Sequence, residues 1–151
     1  MSVETIPVAV ASGAHPVVRS LAAFPIALFT GALLTDVAYW RTAVMMWADF
    51  SAWLLALGMA MGVIAAVAGL VAWGMRGRLA GRRAGWPVAI GSLAVLIVAF
   101  VNNLVHSRDA WTSVVPEGIV LSAVTVLLIL ATIWAGAALG RPRVVLQGVR
   151  A

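Results

Sequence analysis

Four long apolar runs, separated by short polar stretches, dominate the chain. They cover roughly 21–40, 50–74, 86–105 and 118–139. A helix needs about 20 apolar residues to cross a hydrocarbon core of roughly 30 Å, so each run is long enough to span a bilayer. The punctuation fits four helices. Asp49 stands before the second run as an N-cap. Pro87 and Pro116 open the third and fourth, where a missing N–H costs least, and Gly140 and Pro142 close the fourth. Pro25 falls inside the first run and predicts a kink there. That run lacks the basic flank and small-residue cleavage pattern of a signal peptide. Connections of about 9 to 12 residues predict antiparallel neighbours. The expected fold is all-α, an integral-membrane four-helix bundle running up-down-up-down. It divides into an N-terminal segment (1–14), the four-span domain (15–140) and a basic tail (141–151).

Composition sharpens this picture. The 151 residues are 64% hydrophobic and 10% charged, with mean hydropathy +1.07. Soluble domains lie near 45–50% apolar and about 25% charged, so an ordinary globular enzyme and a disordered module are both excluded. With no cysteine, disulfides, thiolate catalysis, iron–sulfur ligation and cysteine-attached haem drop out. The net charge of +5 comes from ten arginines against five acids. So few charges on so apolar a chain make no nucleic-acid face; they read as a topology signal. Arg19, Arg76, Arg78, Arg82, Arg83, Arg141, Arg143 and Arg150 fall on the side of the two termini, and only Arg41 and Arg108 on the other. The positive-inside rule therefore places both termini in the cytoplasm, with the chain a multi-pass protein of the bacterial inner membrane. Trp40, Trp47, Trp53 and Trp111 mark the outer interface, and Trp73 and Trp86 the inner one.

Small residues recur at helical spacing. Gly58 and Gly62 form a GxxxG step continued by Ala66 and Gly69; Ala23, Ala27 and Gly31 form a second stripe, and Gly136 with Gly140 a third. Such residues let helices approach closely in lipid. The expectation is packing within one bundle, with homo-oligomerisation as the alternative.

Asp36 is the one acid well inside a run, and an intramembrane carboxylate needs a partner or a wet cavity. Asn102, Asn103, His106, Arg108 and Asp109, at the end of the third run, reach the same outer level, as do Tyr39 and Glu117. These residues form a candidate outer polar cluster. It reads either as a pocket for a quinone headgroup, a proton or a protein partner, or as an interhelical hydrogen-bond cluster aligning the first and third helices, with Arg108 pairing Asp36. His15 is a separate candidate at the inner boundary. The two histidines stand at opposite ends of the spans, which argues against one haem bound by both. No catalytic motif is present: GxxxxGK[ST], GxGxxG, HExxH and GxSxG are all missing. No cofactor is predicted, with haem or quinone as the alternative.

The order of motifs resembles the four-helix membrane family called domain of unknown function 2231. The matching stretches are HPVVRSLAAFPIALFTGALLTD (15–36), SAWLLALGMAMGVIAAVAGL (51–70) and NNLVHSRDAWTSVVPEGIVLS (102–122), with the glycine-containing end of the last span. The His-Pro…Phe-Pro-Ile start and the AYWRT and HSRDAW segments look most like the branch associated with periplasmic sorbosone-type quinoprotein dehydrogenases. The resemblance implies a non-catalytic membrane anchor or accessory subunit beside an oxidoreductase. The alternatives are an electron-transfer protein binding quinone or haem, and an oligomeric pathway for a small solute or protons.

Overall fold

The computed structural model describes residues 3–10, 16–75, 82–108, 113–139 and 143–150. It contains four helices: α1 (Pro16–Thr42), α2 (Met45–Met75), α3 (Arg82–His106) and α4 (Glu117–Leu139). All four are long and apolar enough to cross a membrane. Short strands β1 (Val3–Val10) and β2 (Arg143–Arg150) flank them and pair antiparallel, with Val3 opposite Arg150 and Val10 opposite Arg143. The apolar pattern predicts no element at either end. Both strands are rich in valine, which suits a pleated backbone, and the pairing keeps the two termini together.

The helices extend past their apolar runs. Only Ala43 and Val44 separate α1 from α2, where about nine residues were expected. Backbone hydrogen bonds do not stop where lipid stops, so an apolar run marks the hydrocarbon core and not the helix end. Asp49 accordingly sits inside the second helix, not at its N-cap. The tight turn is made by Ala43, whose φ of 53° is left-handed.

α1 packs mainly on α2 and α3 on α4, with smaller α1–α4 and α2–α3 contacts, so α1 and α3 face each other across a diagonal. Buried positions follow a spacing of three and four along each helix: Phe29, Ala32, Asp36 and Tyr39 on α1; Ala48, Ser51, Leu55, Gly58 and Gly62 on α2; Val95, Ala99, Asn102 and His106 on α3; Gly118, Ser122, Thr125 and Ile129 on α4. This is the left-handed bundle periodicity. An apolar core of Phe29, Ala32, Leu55, Val95, Ala99 and Ile129 fills the middle. A smaller cluster of Tyr39, Ala48 and Val114 closes the end where α1 meets α2.

The glycines are used within the bundle. A Cβ on Gly58 would come 2.6 Å from the Phe29 ring, and one on Gly62 would come 2.7 Å from Leu96. The GxxxG step therefore seats α1 and α3 against α2. Gly136 approaches Val88, and Gly140 lies outside the described residues. The outer surface is apolar, with Leu34, Trp53, Leu127 and Trp134 among the exposed side chains.

Candidate functional site

Between the two apolar clusters lies a single polar layer, contributed by all four helices. Asp36 is fully buried. One turn and a half from the end of α1, its carboxylate meets a side chain from each other helix. His106 Nε2 of α3 lies 2.9 Å from Oδ1, Ser51 of α2 bonds Oδ1, and Ser122 of α4 bonds Oδ2. Ser51 Oγ also lies 3.2 Å from the carbonyl of Ala32. Asn102, one turn before His106, donates from Nδ2 to Ser122 Oγ at 2.8 Å. In a membrane each such contact is worth about 0.6 kcal/mol, and up to about 1.7.

The partners define the hydrogen positions. His106 Nδ1 lies 3.1 Å from the backbone carbonyl of Asn102, which can only accept, so Nδ1 carries a hydrogen. The Nε2–Oδ1 contact then holds one proton, on the imidazole or on the carboxyl. In either arrangement the pair carries no net charge, which is how an ionisable pair is accommodated in a low-dielectric interior. His106 owes its position to Gly118: a Cβ there would stand 2.7 Å from His106 Cε1 and 2.6 Å from the carbonyl oxygen of Ser113. Chemically, the layer can hold and share a proton.

The other expected members fall differently. Arg108 does not reach Asp36; its guanidinium donates to Glu117 at 2.8 Å, with both side chains more than half exposed. Burying a guanidinium is expensive, and one at a helix end turns to water instead. Asn103 ties α3 to α2 through the Leu55 carbonyl, 3.3 Å away, and to its own helix through Ala99. Tyr39 lies one turn beyond Asp36, buried, with its hydroxyl donating to the Met45 sulfur at 3.6 Å. Asp109 and His15 lie outside the described residues. Pro16, which follows His15, is about 30 Å along α1 from Asp36 at 1.5 Å per residue. Among the described residues no three of His, Asp and Glu gather as a metal site.

Ser51 and Ser122 lie outside the polar cluster expected from the sequence. Their signal was positional: each falls on the three-and-four spacing of the buried stripe of its helix, Ser51 with Leu55 and Gly58, and Ser122 with Gly118 and Thr125.

Comparison with curated proteins and with solved structures returns no match. The family model described as "Predicted membrane protein (DUF2231)" matches residues 12–145. That match takes in all four helices and the whole polar layer, and the chain belongs to this membrane protein family.

Proposed function

We propose that the chain is a non-catalytic accessory subunit that anchors a redox partner at the bacterial inner membrane, with its termini in the cytoplasm and the Asp36 layer at the outer end. The observation that carries this reading is the joint at Asp36, where one buried carboxylate is bonded from α2, α3 and α4. Such a joint ties the four helices together at one level and holds them in one arrangement. The apolar outer surface suits a bundle set in lipid. The arginine distribution supports the orientation, and the likeness to the quinoprotein-associated branch supports a periplasmic sugar dehydrogenase, or a respiratory complex, as the partner.

The test is affinity purification of the tagged chain from its native membranes in mild detergent. An oxidoreductase should accompany the wild type and the Asp36→Asn variant and be lost from Asp36→Leu, in which the joint is broken. A wild-type chain that purifies without any oxidoreductase overturns the reading.

A further inference from the structure

The side-chain oxygen of Asn102 is buried and, among the described residues, has no hydrogen-bond partner. Buried acceptors are rarely left unpaired, because burial strips their water. This one belongs to an amide whose other end donates into the Asp36 layer, so its role can be sought by following the hydrogens.

Asn102 Nδ2 donates to Ser122 Oγ, so Ser122 must direct its single hydrogen at Asp36 Oδ2. Asp36 Oδ1 and His106 Nε2 share one proton, and His106 Nδ1 donates to the Asn102 carbonyl. Each contact in this ring holds one hydrogen. A second proton arriving on Asp36 Oδ2 would confront the hydrogen of Ser122. Ser122 could release the clash only by turning its hydrogen to another acceptor. A half-turn of the Asn102 amide supplies that acceptor, since it places Oδ1 where Nδ2 stood, 2.8 Å from Ser122 Oγ. The two ends of an amide are nearly the same size, so no repacking is needed. One amide end is unpaired before the turn and one after it.

We propose that Asp36, His106, Ser122 and Asn102 form a proton-binding site that takes up a second proton, with the Asn102 amide as its switch. The proton comes from hydronium, which leaves as water; a new O–H bond forms on Asp36 Oδ2, and the proton shared in the Nε2–Oδ1 contact rests on His106 Nε2. The Ser122 O–H stays covalent and swings from Asp36 to Asn102, and the site gains one positive charge. No electron moves. From α2 and α4 the hydroxyls of Ser51 and Ser122 bond Asp36. Along α1 the nearest titratable group is Tyr39, one turn on. Asp49 is exposed, and Glu117 is exposed and paired with Arg108. Among the described residues no buried guanidinium opposes the added charge. The inference stands on this geometry and needs neither a redox partner nor an orientation in the membrane.

The chain has two asparagines, Asn102 and Asn103, and the second is an internal control because its amide is held by two carbonyls. The full-length protein, labelled with 15N-asparagine and held in lipid nanodiscs, is titrated toward acid. Infrared spectroscopy follows the carboxyl C=O stretch, and NMR follows the side-chain amides. A carboxyl band should appear that Asp36→Asn lacks, and the Asn102 amide should move with the same midpoint while Asn103 stays still. In Ser122→Ala the band should appear without the Asn102 response. The wild-type titration decides alone if that variant does not fold. The proposal is overturned if the band appears while Asn102 stays still, or if Asn102 still responds in Asp36→Asn. It is equally overturned if no band appears over the range in which the protein keeps its helices.

Discussion

Asp36 and His106 are separated by 70 positions in the chain and 2.9 Å in the bundle. The contact crosses the diagonal between α1 and α3, whose backbones scarcely touch, and Ser51 and Ser122 also bond the same carboxylate.

The arrangement makes the two obvious Asp36 variants unequal. In Asp36→Asn the amide nitrogen can donate to His106 Nε2 and to Ser51, whose hydrogen then serves the Ala32 carbonyl, while the amide oxygen accepts from Ser122. Every partner stays satisfied, and the loss should be under about 1 kcal/mol. Asp36→Leu strands the imidazole nitrogen and the Ser122 hydroxyl, while Ser51 keeps the Ala32 carbonyl, and should cost about 2–4 kcal/mol. Unfolding in mixed micelles with increasing SDS measures the difference; equal losses would mean that the polar layer does not hold the bundle.

Glycine positions offer a graded test of packing. Gly118→Ala drives a Cβ into a backbone carbonyl that cannot yield and against His106. It should destabilise by about 1–3 kcal/mol, as overpacking does, and displace the imidazole, visible in the NMR signals of the ring. Gly58→Ala meets the Phe29 ring and should fall in the same range. Gly74→Ala has open space around it and should be neutral, or gain up to about 1 kcal/mol from helix propensity.

The Arg108–Glu117 pair bridges the ends of α3 and α4 in water. Exposed pairs of this kind contribute about 0–1 kcal/mol, so Arg108→Ala should shift stability by no more than that and leave the spectroscopic signature of Asp36 unchanged. A loss as large as that of Asp36→Leu would show that the guanidinium serves the buried layer after all.

Orientation can be read by thiol labelling, because the chain has no cysteine of its own. Val44→Cys and Ser107→Cys should react with an impermeant reagent in cells whose outer membrane has been permeabilised, and Gly77→Cys and Gly81→Cys should not. Val44 is a better site than Ala43, whose left-handed backbone disfavours a new side chain. The reverse pattern would invert the topology.

The four long apolar helices and the acid that needs a partner were legible in the sequence, because each depends on a local property: the length of an apolar run, or the cost of one charge in it. The sequence also brought Asp36 and His106 to one depth, since span lengths set depth. Which residues complete the layer was a tertiary decision. Thr30, Thr35, Thr125 and Thr132 bond carbonyls of their own helices, and a hydroxyl that can satisfy itself in this way gives no sign in sequence that it reaches across to another helix. Ser51 and Ser122 do so because the bundle turns them onto Asp36. Arg108 looked the stronger partner by charge and lost, since it stands past the last turn of α3 where water solvates it better than a buried carboxylate would. The pairing of β1 with β2 was likewise invisible locally: it joins residues from opposite ends of the chain, and only the even number of crossings brings those ends together.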